Sequence, residues 1–250
     1  MTKNKKVVIV TGASSGIGFN LARTLLAKGY RVVMNSSNKE RLEKAYADLG
    51  QPEDAVIVVG DIGKAETGKK LVAAAIEAFG RVDALINNAG IFEPRPFLEV
   101  DEAHLDKFLS IGLKGTYFAT QAAIPELKKQ GGGHVINIGT TLLDHALGGL
   151  PITAPMAAKG AIRAITAQLA AEFSKDNIRV NSVAPGIIRT PMHTKDGVDN
   201  ADSMAGLHLL GRVGETKDIA SAVLYLLESD FVTGIELRVD GGYAAGHTLS

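Results

Sequence analysis

Short runs of β-branched and aliphatic residues alternate along the chain with longer stretches of helical periodicity. Val7-Val8-Ile9-Val10 is apolar throughout, as a strand buried on both faces must be. Val32-Val33-Met34, Val56-Ile57-Val58-Val59, Ala84-Leu85-Ile86 and Val135-Ile136-Asn137-Ile138 repeat that pattern. Ile178-Arg179-Val180-Asn181-Ser182-Val183 does so with some alternation. Between these runs, apolar positions recur at i, i+3, i+4 and i+7. Leu42, Ala45, Tyr46 and Leu49 form one such stripe, and Leu71, Val72, Ala75, Ile76 and Phe79 another. Ile162, Ile165, Leu169 and Phe173 form a third, and Ile219, Ala222, Val223 and Leu226 a fourth. Strand and helix in regular alternation predict an α/β fold built on a doubly wound parallel sheet, with helices on both faces.

Nothing divides the chain. Its 250 residues suit a single α/β domain, 1–250, and Gly131-Gly132-Gly133 reads as a loop before a strand. The stretch 190–213 lacks periodicity and carries Pro191, Asp196, Gly197, Asp199, Asn200 and Asp202. A long irregular segment in a domain of this kind predicts a lid over a site.

Composition narrows the function. Formal net charge is +0, without the basic excess of a nucleic-acid binder. There is no cysteine, which excludes disulfides and thiolate chemistry. The histidines show no metal-ligand spacing, so no metal site is expected. The apolar run after Met1–Lys6 is too short for a secretion signal, and none approaches the roughly 18 residues of a membrane span. A cytoplasmic protein acting on a small molecule, away from membranes, is the expectation.

Thr11-Gly12-Ala13-Ser14-Ser15-Gly16-Ile17-Gly18 follows the first strand and opens a helix. Glycines there allow a tight turn and close approach of backbone to a pyrophosphate, whose charge the free N–H groups of the helix start receive. The spacing Gly-x-x-x-Gly-x-Gly after threonine resembles the short-chain dehydrogenase/reductase family. Asn87-Asn88-Ala89-Gly90, Asp61-Ile62, Pro185-Gly186, Gly211-Arg212 and Val239-Asp240-Gly241-Gly242 resemble further signatures of that family.

The resemblance covers nearly the whole chain. It implies a Rossmann-type sheet of about seven strands. It also implies a dinucleotide held by Gly12, Ser14, Ser15, Gly16, Ile17 and Gly18 around the pyrophosphate. Asp61 and Ile62 would lie near the adenine. Asn88, Ala89, Gly90, Lys159, Pro185, Gly186 and Ile188 would lie toward the ribose and nicotinamide. Which dinucleotide turns on Asn35-Ser36-Ser37-Asn38-Lys39. An acidic residue at Ser36 would bond a ribose 2′-hydroxyl and repel a 2′-phosphate. With Ser36 and Ser37 there, and Lys39 and Arg41 close by, the reading favours NADP and leaves NAD open.

The resemblance also implies a catalytic set, and here the chain departs from it. Lys159 matches the family lysine. Four residues earlier, where the family has its proton-donating tyrosine, stands Pro155. Thr140 keeps a hydroxyl at the family's serine position, and Gly112 stands where an asparagine is expected. No tyrosine occurs between Tyr117 and Tyr225. Acid assistance is worth about 10² to 10⁴ in rate, so ordinary ketone reduction requires another donor. His145 is the leading substitute, with Asp144, Thr153 and His193 as others.

Two functions remain open from sequence. One is an NAD(P)-dependent reductase with altered acid chemistry, acting on C=N, on activated C=C, or on a ketone through a substitute donor. Met192, Met204, Leu207 and Leu209 in the lid suit a partly apolar substrate. The other is dinucleotide binding without redox chemistry, or a non-redox reaction in the same pocket. The resemblance further implies a homotetramer or homodimer, assembled through helices around 101–129 and 155–175.

Overall fold

The computed structural model describes residues 5–195, 198–199 and 201–246. Seven strands form one parallel sheet: β1 (Val7–Val10), β2 (Arg31–Ser36), β3 (Ala55–Val59), β4 (Ala84–Asn87), β5 (Gly133–Ile138), β6 (Ile178–Pro185) and β7 (Glu236–Val239). Their order is β7-β6-β5-β4-β1-β2-β3. All six of their pairings are parallel, with Val8 beside both Val32 on β2 and Ala84 on β4.

Alternation sorts each strand between two cores. Val8, Val10, Met34, Ile86, Ile136 and Val183 face α1 (Gly16–Ala27), α2 (Lys39–Asp48) and α7 (Thr216–Glu228). Val7, Ile9, Val33, Leu85, Val135 and Val180 face α3 (Ala65–Phe79), α5 (Gly115–Lys129) and the end of α6 (Thr153–Glu172). The unbroken apolar runs in the sequence are strands covered on both sides, as expected of a parallel sheet.

Two elements differ from the sequence expectation. The helix expected around 101–129 is α4 (Glu102–Phe108), a π-helical stretch Leu109–Lys114, and then α5. Such π turns are rare and often mark functional sites. The seventh strand, Glu236–Val239, carries two charged residues in four and shows no apolar run.

The irregular segment 190–213 holds 3₁₀ turns at Pro191–His193 and Ala201–Leu207 and a small antiparallel pair, Thr194–Lys195 with Val198–Asp199. It is flanked by Ile188–Arg189 pairing with Gly214–Glu215. Ala201 is fully buried, which anchors the segment to the body. Among the described residues, no helix is long and apolar enough to cross a membrane.

Candidate active site

The chain reverses direction across the sheet at β1 and β4, which neighbour each other although far apart in sequence. A crevice opens at such a switch point, outside the carboxyl ends of the strands. Thr11 and Asn88 latch it. The Thr11 hydroxyl accepts from the backbone N–H groups of Asn88 and Ala89, both at 3.0 Å. The Asn88 amide donates to the carbonyls of Thr11 at 2.9 Å and Gly12 at 3.1 Å. Asn88, expected only to touch a cofactor, therefore also shapes the loop.

The glycine loop leaves no room for side chains. A Cβ on Gly18 would lie 2.2 Å from the Gly12 carbonyl oxygen, and one on Gly12 would lie 2.8 Å from the Ala89 Cα. Gly12 also has φ +64°. Ser15 begins α1 without a side-chain cap, so the first N–H groups of the helix are not satisfied by that hydroxyl. A cradle of bare backbone at an uncapped helix start fits the pyrophosphate of a dinucleotide. When bound, a nicotinamide dinucleotide supplies or accepts hydride.

A cavity of about 470 Å³ runs from this cradle across the strand ends. Gly12, Ser14, Ser15, Gly16 and Ile17 line one part, with Ser36, Ser37, Asp61 and Ile62 beyond them. Asn88, Ala89 and Gly90 line the middle, and Pro185, Gly186 and Ile188 the far side. Gly18 lies behind the wall and keeps the turn tight. Sequence reading did not single out Asn35, whose amide donates to Val58 and Gly60 carbonyls at 3.0 Å each and braces the adenine end. Ser36 is buried and accepts from the Ser14 hydroxyl at 3.0 Å. Lys39 lies at the surface, 3.7 Å from Glu43.

Lys159 and Thr140 both line the other end. A buried polar chain sets the helix that carries the lysine. The Asn87 amide donates to Thr120 and to Asn137, and the Asn137 amide donates to Thr166 on α6. Lys159 Nζ donates to the Ile138 carbonyl at 2.6 Å. Loss of water around it pulls its pKa down to about 8. The Thr140 hydroxyl accepts from the Leu142 backbone at 3.2 Å, and the residue lines the cavity. Pro155 is buried on the same wall, in the first turn of α6, where a missing N–H breaks no helical bond. Gly112 lines the wall from the π-helical stretch. The surroundings are apolar: Phe92, Leu142, Leu147, Leu150, Met156 and Met204.

The structure does not bring the expected histidine into this group. His145 is outside the cavity wall; its ring meets Tyr243 edge-on at 5.6 Å, and its carbonyl accepts the Tyr243 hydroxyl. Asp144 is bound to Arg163 at 2.8 Å and Arg238 at 3.0 Å. Thr153 is exposed at the start of α6, and Tyr117 points outward from α5. The side chain of His193 lies outside the described residues, as does His247.

One residue near the site was assigned no role from the sequence. His208 is buried, and its Nε2 accepts the Ile187 N–H at 3.1 Å, fixing the loop after Pro185-Gly186. No spacing in the sequence signals that pairing.

Residues 12–244 match the family model described as enoyl-(acyl carrier protein) reductase. An L-rhamnose-1-dehydrogenase of Scheffersomyces stipitis is 36% identical over 248 residues, covering 96% of each chain. Dehydrogenase/reductase SDR family member 4 of Bos taurus is 34% identical over 249 residues, covering 96% of this chain and 87% of that one. The chain belongs to the short-chain dehydrogenase/reductase family. A solved structure described as ElxO with NADP bound superposes with TM-score 0.88 at 29% identity, covering 97% of this chain and all of the other. This family member is an NAD(P)-dependent oxidoreductase with a Rossmann-type fold.

Proposed function

We propose that the protein is an NADP-preferring reductase. It transfers hydride to a small, partly apolar substrate by acid chemistry that needs no tyrosine. The observation that carries this reading is the wall around Lys159. Pro155 stands one helical turn before the lysine, at the position of the family tyrosine in the sequence resemblance, and apolar side chains fill the surroundings. Proline has no proton to give.

Substrates that tolerate this are of three kinds. An iminium carbon is already positive and takes hydride without protonation of oxygen. A conjugated C=C moves its electron pair along the conjugated system. A ketone requires a substitute donor in the wall. Thr140 orients the substrate, and Lys159 holds the cofactor ribose. Ser36 leaves space without negative charge at the ribose 2′ position, which supports NADP over NAD.

The test is NADPH and NADH consumption with three panels: ketones, cyclic imines, and conjugated enones or enoyl thioesters. Turnover with imines or activated alkenes, faster with NADPH, is the expected result. Binding of either dinucleotide with no turnover on any panel would replace this reading with a non-redox one.

A further inference from the structure

The strip 185–188 lines the cavity where β6 ends, with three strands between it and the end of β2. A dinucleotide seated on the glycine cradle puts its adenosine ribose at the end of β2, so its nicotinamide reaches toward β6. The backbone of this strip is held residue by residue. The Thr141 hydroxyl donates to the Pro185 carbonyl at 3.1 Å. The Gly186 N–H donates to the Val239 carbonyl at 3.1 Å, and the Gly214 N–H to the Ile187 carbonyl at 2.9 Å. Ile188 pairs with Gly214. The Ile187 N–H donates to His208 Nε2 at 3.1 Å. Of these holds, the last is the one made by a side chain of the irregular segment 190–213.

His208 is packed against the strip and is itself outside the cavity wall. It is buried, and a Cβ built on Gly186 would lie 2.9 Å from its Nε2. Its ring tilts against that of Tyr243, with centroids 5.9 Å apart. The Tyr243 hydroxyl reaches the His145 carbonyl at 2.9 Å, on the loop after β5. Backbone bonds fix the histidine on both sides. Its N–H donates to the Ala205 carbonyl at 3.1 Å, and its carbonyl accepts the Gly211 N–H at 2.9 Å.

The ring is therefore placed by its backbone and its packing. Because Nε2 accepts, the neutral ring carries its proton on Nδ1. Among the described residues, that buried Nδ1 has no hydrogen-bond partner. The nearby Asp240 carboxylate accepts the Gly242 and Ala244 N–H groups. A buried donor without a partner costs stability. An aliphatic side chain would fill the same space without that cost, but it could not accept the Ile187 N–H.

We propose that His208 is a positioning residue for the nicotinamide half of the dinucleotide. Its Nε2 fixes the Ile187 N–H, and with it the strip against which the nicotinamide ring lies. The proposal rests on the use of a dinucleotide and is independent of the substrate reading above. Adenosine and pyrophosphate are held by other elements. Loss of the His208 acceptor therefore weakens one half of the binding and spares the other.

The experiment uses the full chain and two variants, His208→Leu and His208→Gln. Leucine fills the space without an acceptor, and the glutamine oxygen reaches the place of Nε2. Calorimetry measures the affinity for NADPH, which has both halves, and for adenosine 2′,5′-bisphosphate, which has the adenosine half alone. NADH and ADP replace this pair if the wild type binds NADH more tightly. The expected result is that H208L binds the adenosine compound as the wild type does and the dinucleotide about tenfold more weakly, as loss of a buried acceptor implies. H208Q should recover most of the dinucleotide affinity. In wild-type protein carrying nitrogen-15 histidine, the His208 signals, assigned by their loss in H208Q, should show the proton on Nδ1. The dinucleotide should shift the Nε2 signal much further than the adenosine compound does.

Unchanged dinucleotide affinity in H208L, equal losses for the two ligands, or a folded H208Q no better than H208L would overturn the proposal. A proton on Nε2, or an Nε2 signal that answers both ligands equally, would also overturn it. If H208L does not fold, H208Q and the histidine spectrum decide. A wild type that binds neither reduced dinucleotide would overturn the proposal and the cofactor assignment together. Dinucleotide binding without turnover on the three panels would remove the substrate reading and leave this proposal to be decided by the affinities.

Discussion

Gly112 and Ala158 are in tight contact: a Cβ added at Gly112 would lie 3.0 Å from the Ala158 methyl. The π-helical stretch and α6 are pressed together at that point, beside the cavity. Sequence comparison suggests that Gly112→Asn would restore a family feature, but the geometry adds a cost. Overpacking of this kind costs typically 1–3 kcal/mol. Gly112→Asn alone should lower Tm by about 2–4 °C for each kcal/mol, and Ala158→Gly beside it should recover part of the loss. Thermal unfolding of the single and double variants reads this directly.

Pro155→Tyr places a phenol on the wall that now lacks one. It should confer weak ketone reduction on the protein, short of the full 10² to 10⁴ that a well-placed acid supplies. Adding Gly112→Asn with Ala158→Gly should raise it further. NADPH oxidation with the ketone panel measures both. If the triple variant binds cofactor normally and reduces no ketone, the shape of the pocket excludes ketones as well.

On the proposed reading, Ser36 at the end of β2 sets the choice of cofactor. Ser36→Asp would set a carboxylate against a 2′-phosphate, and like charges so placed cost several kcal/mol. Its kcat/KM with NADPH should fall tenfold or more, on the order of 1.4 kcal/mol at least, with a smaller change for NADH. Equal losses with both dinucleotides would show that Ser36 matters through its bond to Ser14 and not through the phosphate.

His134 makes stability depend on acid. Burial, and then the charge of Arg179, pull its pKa down from 6.5 to about 3. Its Nε2 faces donors on Asn181 at 2.9 Å and Arg179 at 3.3 Å, so a proton there has no place in the fold. The folded pKa is below the unfolded one, so the unfolded chain binds more protons between them. The contribution is complete above about pH 6.5 and is lost as pH falls toward 3, at up to about 1.4 kcal/mol per unit. His134→Gln keeps an acceptor without the titration. Its denaturation free energy should show a shallower pH slope in this window than that of the wild type.

Much of this architecture was legible in the sequence because parallel strands buried on both faces need unbroken apolar runs. The glycine loop was legible for a related reason: only backbone fits where Gly18 meets Gly12, so the residue type itself records the contact. What escaped had no local cause. Glu236–Val239 joins the sheet at its edge, where one neighbour suffices and charged residues are tolerated. The π-helical stretch keeps helical periodicity on both sides and announces itself by no residue. His145 looked available because its loop is polar, but tertiary packing turns its ring against Tyr243. The bond from Ile187 to His208 spans 21 residues and depends on how the irregular segment 190–213 folds back.

On the proposed reading, hydride passes from a nicotinamide dinucleotide to a substrate in the cavity beside Lys159 and Pro155. The most direct measurement is mass spectrometry of product formed with NADPH carrying deuterium at the reactive C4 position, using a cyclic imine or conjugated enone. One deuterium in the reduced product, absent when the label is on the opposite face of the ring, is the predicted result. Tight dinucleotide binding with no labelled product from any panel would contradict it.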